Sequence, residues 1–119
     1  KIKSKLNDID LINDPHTVIK DSDLVVKQLF KHITNKGYKL DKIKLMDVGC
    51  GLGFITDKVA KIVGYENVYC CDPSPSSKDF INLQFPKLNF IHCDTETIPK
   101  KFYGHFDVVY LREVLCYKI

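Results

Sequence analysis

The chain has 119 residues, enough for one domain with a single hydrophobic core. Hydrophobic residues make up 45% and charged residues 28%, and no apolar run approaches the roughly 20 residues that a membrane-spanning helix needs. The net charge is only +3, and Arg112 is the single arginine, which argues against a nucleic-acid partner. We therefore expect a cytoplasmic protein without a membrane span and without a nucleic-acid partner.

The five cysteines are odd in number and form no C-x-x-C pair: Cys50, Cys70, Cys71, Cys93 and Cys116. This pattern fits neither a disulfide framework nor a zinc site. All but Cys116 fall at or just past the end of a predicted strand, where a small apolar side chain packs well. We predict free thiols in a reducing compartment and no metal site.

Residues 1–20 are polar and rich in lysine, and we interpret them as an N-terminal arm or short helix broken at Pro15. The predicted domain covers residues 21–119. Asp21 or Ser22 can cap its first helix and Gly37 can end it. The apolar residues of this helix recur at helical spacing: Val25, Val26, Leu29, Phe30 and Ile33.

Helices and short apolar strands alternate through the rest of the chain. We predict strands at 43–48, 68–71, 88–93 and 106–111, and helices at 54–63 and 78–85, with 73–77 as a loop and the first turns of another helix at 113–117. This alternation predicts an α/β fold with a parallel sheet and right-handed crossovers. The fourth strand would leave an apolar edge, so we expect further chain or self-association to cover it.

The informative segment is residues 46–54, which read MDVGCGLGF. A strand delivers Asp47 to its carboxyl end, and a turn with alternating glycines opens directly into a helix, the place where α/β sheets bind nucleotide-like ligands. A dinucleotide site needs G-x-G-x-x-G, but the third glycine position falls on Phe54 or Thr56. A carboxylate at this turn repels a diphosphate and suits a ligand that carries an ammonium group. The segment thus favours S-adenosyl-L-methionine over NAD.

Two further acids end neighbouring strands. Asp72 follows the second strand at the position where a carboxylate accepts hydrogen bonds from ribose hydroxyls. Asp94 follows the third strand and could receive an adenine amino group. The alternative for both is a helix cap or turn residue, since aspartate is common in either role.

Four segments together resemble the class I S-adenosylmethionine-dependent methyltransferases, which have a Rossmann-like fold. The chain is most similar to the small-molecule group that includes ubiquinone and menaquinone biosynthesis methyltransferases, and only to the N-terminal part of that fold. The segments are 45–56 (LMDVGCGLGFIT), 69–73 (YCCDP), 92–99 (HCDTETIP) and 106–117 (FDVVYLREVLCY). The resemblance implies a parallel sheet in the order 3-2-1-4 with flanking helices, and no counterpart here of the later strands.

The resemblance also implies a role for individual residues. Asp47 would face the ammonium group of the cofactor, Asp72 would bind both ribose hydroxyls, and Pro73 or Ser74 would lie against the adenine face. Asp94 and the backbone of Thr95 would read the adenine edge. The residues under or beside the methionine moiety would be Gly49, Cys50, Gly51, Gly53, Leu111 and Arg112. The chain departs from the family at Arg112, where small or polar residues are common, and at Tyr117, where many relatives have histidine.

No catalytic residue is assigned, because methyl transfer from a sulfonium depends mainly on alignment and needs a base only for some acceptors. We expect His92 to pack in the core and His105 to lie on the surface. The competing interpretation is a non-catalytic methyltransferase-like scaffold that binds a partner. An NAD-linked oxidoreductase is disfavoured by the glycine spacing.

Overall fold

The protein is described from a computed structural model that covers the backbone of residues 15–111 and the side chains of residues 22–111. Within these residues there are three α-helices and four strands, and single-turn 3-10 helices lie at Leu40–Lys42, Tyr65–Asn67 and Lys100–Phe102. In chain order the elements are α1 (Pro15–Asn35), β1 (Leu45–Val48), α2 (Phe54–Val63), β2 (Val68–Cys71), α3 (Pro75–Gln84), β3 (Asn89–Ile91) and β4 (Val108–Tyr110). Within residues 15–111, no helix is long and apolar enough to cross a membrane.

The four strands form one parallel sheet in the order β3-β2-β1-β4. Leu45 pairs with Val68 on one side and with Val108 on the other, so β1 lies inside the sheet and all four of its residues are buried. This arrangement confirms the predicted α/β fold and strand order. Because the strands are parallel, the turns that follow β1, β2 and β3 leave the sheet at the same edge.

The two faces of the sheet are covered differently. The three helices pack on one face, where α1 contributes Val26, Leu29 and Ile33, α2 contributes Val59, Ala60 and Val63, and α3 contributes Ile81. The opposite face holds a smaller cluster that includes Met46, Val48, Cys71 and Cys93, covered by side chains of the segment before β4, among them Ile98 and Phe106. Strand β4 forms an edge of the sheet, and its Val109 is 52% exposed. A cover for this edge stays a prediction.

Helix α1 begins at Pro15, earlier than the predicted cap at Asp21 or Ser22. Proline suits the first turn of a helix because its φ is already helical and its missing N–H needs no partner there. Ser22 lies within the helix and is buried, which corrects its predicted role as a cap. The division into an arm and a domain stays a prediction, and residues 1–14 lie outside the described residues.

The end of α1 agrees with the sequence. Gly37 has a φ of +92°, and its N–H donates to the carbonyl of Thr34 at 3.0 Å, while the N–H of Tyr38 donates to the carbonyl of Ile33 at 3.3 Å. This is a Schellman motif, in which a glycine in the left-handed region satisfies the last carbonyls of a helix.

The other bounds differ from the prediction mainly at strand ends. Helix α2 and strand β2 have the predicted limits, and the remaining strands are shorter than predicted. Helix α3 begins at Pro75, inside the segment predicted as a loop, because Ser74 takes the extended cap position and Pro75 the first turn. The predicted helix at 113–117 lies outside the described residues.

Candidate functional site

The glycine turn, residues 49–53, connects β1 to α2 at the carboxyl edge of the sheet. Gly49, Gly51 and Gly53 all have positive φ, at 75°, 60° and 86°. A Cβ on Gly53 would lie 3.0 Å from Cγ1 of Ile81 in α3, so this glycine is also required by packing. A Cβ on Gly51 would meet no described protein atom within 4 Å. The turn therefore packs against the helices at Gly53 and is open at Gly51.

Four of the five backbone N–H groups of the turn donate hydrogen bonds to protein acceptors. Those of Gly49 and Cys50 both donate to the carbonyl of Cys71, at 2.9 and 3.0 Å, and that of Gly53 donates to the carbonyl of Cys50 at 3.2 Å. The N–H of Gly51 donates to Oδ2 of Asp72 at 3.0 Å. A phosphate-binding turn must direct such N–H groups at its ligand. These four N–H groups are already engaged by protein acceptors.

Asp72 joins the ends of two strands. Its Oδ2 accepts the Gly51 N–H, and its Oδ1 accepts the N–H of Ser74 at 2.9 Å. The side chain is half-buried. A carboxylate offers about four acceptor positions, so these two bonds leave it able to accept from hydroxyl groups of a ligand. The structure thus places Asp72, Gly51 and Ser74 together, and their contacts with a cofactor stay a prediction.

Asp47 is buried within β1, with 4% of the residue exposed. Its Oδ2 accepts a hydrogen bond of 2.7 Å from Oγ1 of Thr56, the third residue of α2. The bond therefore spans the glycine turn, from the strand before it to the helix after it. Thr56 is the last residue of the 45–56 segment that resembles the family, but no role at this site was predicted for it from the sequence.

The thiol of Cys50 lies in a negative environment. A hydrogen bond with Cys70 is the largest of the causes that raise its pKa, and burial and the charges of Asp47 and Asp72 act in the same direction. Both carboxylates therefore act electrostatically on the glycine turn. A cation at this position would be stabilised and an anion repelled.

The other described cysteines are also free. Burial is the largest cause that raises the pKa of the Cys71 thiol to about 12, and it also raises the pKa of Cys93. Cys50 and Cys70 are free as well. Among residues 22–111, no group of three or more His, Cys, Asp or Glu side chains could hold a metal ion.

Asp94 is engaged mainly in its own turn. Its Oδ1 accepts the N–H groups of Glu96 and Thr97, at 2.8 and 2.9 Å, and the hydroxyl of Thr97 at 3.0 Å. The structure therefore gives Asp94 the turn role that the sequence left open as an alternative. A second role at an adenine edge, together with the exposed Thr95, stays a prediction.

The structure corrects the prediction for His92, which does not pack in the core. His92 is exposed, and its Nε2 lies 2.8 Å from the carbonyl oxygen of Pro73. The chain leaves the sheet directly after Ile91, so His92 follows the strand end and reaches the loop after β2. His105 is exposed as predicted, beside the ring of Phe106.

The predicted residues near the end of β4 are only partly described. Leu111 follows the strand and is 41% exposed. No described contact joins it to the glycine turn. Arg112 lies outside the described residues.

Comparison with known proteins identifies a family for this chain. A family model described as a methyltransferase domain matches residues 46–118, more than half of the chain. The match begins in β1 and includes the glycine turn, Asp72 and Asp94. A search of curated proteins finds no match. On the family match and the sheet order, the chain belongs to the methyltransferase-domain family, within the class I S-adenosylmethionine-dependent methyltransferases.

Proposed function

We propose that this chain binds S-adenosyl-L-methionine at the glycine turn and transfers the methyl group of that cofactor to a small-molecule acceptor. The observation that carries the proposal is the bond from the Gly51 N–H to Asp72, which joins the turn to a half-buried carboxylate at the neighbouring strand end. At this bond, Gly51 leaves space for a ligand and Asp72 can accept hydrogen bonds from its hydroxyl groups.

The polar groups of the site fit a cationic amino-acid nucleoside better than a dinucleotide. The negative charges of Asp47 and Asp72 are felt at Cys50 in the turn. Four N–H groups of the turn donate hydrogen bonds to protein acceptors. An ammonium group gains from nearby carboxylates, whereas a diphosphate needs free N–H donors. This chemistry supports the sulfonium cofactor and disfavours NAD.

The family resemblance suggests the individual roles. Asp72 would accept hydrogen bonds from the ribose hydroxyls, and Asp47 would attract the ammonium group, directly or through water. Pro73 and Ser74 would lie against the adenine face, with Asp94 and Thr95 at its edge. The methionine moiety would lie over Gly49, Cys50, Gly51 and Gly53, with Leu111 and Arg112 beside it.

When bound, the cofactor supplies a methyl group that is already activated for displacement by its positive sulfur. The task left to the chain is to hold this group in line with the acceptor, which can contribute several kcal/mol, up to roughly 10. The fixed glycine turn and Asp72 serve that alignment. We assign no general base. His92 and His105 are exposed, and His92 is already in contact with the Pro73 carbonyl.

The acceptor and the compartment rest on general properties of the chain. A net charge of +3 with one arginine supports a small molecule over nucleic acid as the acceptor. The free thiols of Cys50, Cys70, Cys71 and Cys93 support a reducing compartment such as the cytoplasm.

Titration calorimetry with the full chain tests the proposal. We expect S-adenosylmethionine and S-adenosylhomocysteine to bind and NAD not to bind. Binding of NAD in preference to the other two would contradict the proposal. A folded sample that binds none of the three would favour a non-catalytic scaffold.

A further inference from the structure

Thr56 is the most deeply buried polar side chain beside the glycine turn, with 1% of the residue exposed. Its hydroxyl donates to Oδ2 of Asp47, itself 4% exposed. We propose that Thr56 is a positioning residue that holds the Asp47 carboxylate toward the amino-acid end of the cofactor. This inference rests on the proposed function.

The Thr56 hydroxyl does not bond the backbone of its own helix. Threonine within a helix commonly donates to a backbone carbonyl three or four residues earlier. Thr34 of α1 does so, with its hydroxyl 2.9 Å from the carbonyl oxygen of Phe30. Thr56 instead reaches a side chain nine residues earlier, in a different element. The hydroxyl therefore serves the junction between β1 and α2 rather than the helix itself.

The neighbouring acid is directed elsewhere. Asp57 accepts a hydrogen bond of 2.7 Å from the hydroxyl of Tyr65, and its other oxygen lies 3.3 Å from Nζ of Lys61. Asp57 thus supports the connection after α2, while Thr56 faces the turn before it. Of these two adjacent polar residues, Asp57 bonds within α2 and to the segment after it, and Thr56 bonds to the candidate site.

The expected effect of Thr56 is selective for one part of the ligand. A buried carboxylate that keeps a fixed donor is held in one orientation, so a ligand cation meets it without a further ordering cost. Asp72, which would bind the ribose, has its own donors from Gly51 and Ser74. Loss of the Thr56 hydroxyl should therefore affect the ammonium contact and leave the nucleoside contacts intact.

Two ligands that share a nucleoside separate these effects. S-adenosylhomocysteine carries the amino-acid group, and 5′-methylthioadenosine lacks it. In titration calorimetry on the full chain, we expect Thr56→Val to weaken binding of S-adenosylhomocysteine by about tenfold, because a charge-assisted hydrogen bond is lost. Affinity for 5′-methylthioadenosine should stay unchanged. Thr56→Ser, which keeps the hydroxyl, should restore most of the first affinity.

Thr34→Val is the matched control, since it removes a hydroxyl from an exposed position of α1 and should change neither affinity. An equal loss for both ligands in Thr56→Val, or no rescue by Thr56→Ser, would overturn the inference and leave Thr56 with a purely structural role. An unaltered chain that binds neither ligand would instead overturn the proposed function, and this inference with it.

A second variant keeps the test open if Thr56→Val does not fold. Asp47→Asn removes the buried charge, so Thr56→Val in that background leaves no unpaired carboxylate. If Thr56 acts through Asp47, the added substitution changes the affinity for S-adenosylhomocysteine no further. A further selective loss would show that Thr56 acts independently of Asp47 and would overturn the inference.

Discussion

Asp72 and Asp94 stand at corresponding places in the fold and use their carboxylates differently. Each follows a buried cysteine: Asp72 comes directly after Cys71, the last residue of β2, and Asp94 comes after Cys93, two residues past the end of β3. Asp72 accepts from Gly51, which is 21 residues away in the chain, whereas the described bonds of Asp94 come from residues within three positions. One acid connects two elements and the other closes its own turn.

The difference shows that a strand-end aspartate is not by itself evidence of a ligand contact. A carboxylate bonded to a distant backbone is fixed relative to the binding surface, while bonds to its own turn fix a carboxylate relative to that turn. We therefore expect substitutions at Asp72 to affect cofactor binding more than those at Asp94.

The largest effect is expected for Asp72→Ala. It removes both acceptors for the ribose hydroxyls, so we predict an affinity for S-adenosylmethionine about 100-fold weaker, measured by titration calorimetry. Asp72→Asn keeps one acceptor oxygen and should lie between Asp72→Ala and the unaltered chain. Unchanged affinity in Asp72→Ala would refute the proposed ribose contact.

An intermediate effect is expected for Gly51→Val. The new side chain meets no described protein atom within 4 Å but would project into the space proposed for the cofactor, so we predict binding about tenfold weaker in a chain that remains folded. Gly104→Val is the matched control, because Gly104 has a similar φ of +70° and equally open surroundings. Thermal unfolding should show similar losses of stability in the two variants. Equal affinities in both would indicate that the turn is not the binding surface.

The smallest effect is expected for Asp94→Asn. An asparagine keeps an oxygen that can accept from Glu96 and Thr97, so the turn should persist, and only a contact with an adenine amino group would be weakened. We predict a change of about threefold in affinity for S-adenosylmethionine, measured as for Asp72. A loss as large as that of Asp72→Asn would remove the distinction between the two acids.

Much of this fold follows from local sequence signals. The apolar spacing of residues 54–63 with Gly64 after them gave the limits of α2, and the alternation of helices and strands gave a parallel sheet. The glycine turn was predicted because its glycines are needed for positive φ at 49, 51 and 53. These features depend on residues that are close together in the chain.

The rest depends on contacts that no local pattern contains. The early start of α3 was missed because prolines at 73 and 75 read as a loop, although Pro75 suits a first helical turn. His92 was assigned to the core from its strand-like surroundings, but the strand ends one residue before it. The bond from Thr56 to Asp47 joins residues whose proximity is set only when β1 and α2 are in place.

The hydrogen bonds within the glycine turn have a consequence for the search for ligands. The N–H groups of Gly49, Cys50 and Gly51 are satisfied by β2 and Asp72 before any ligand arrives. The shape of this surface is therefore formed before a ligand binds, and compounds can be chosen to fit it as a rigid surface. Ligands should then share one shape where they contact the turn and differ only in the parts that extend past it.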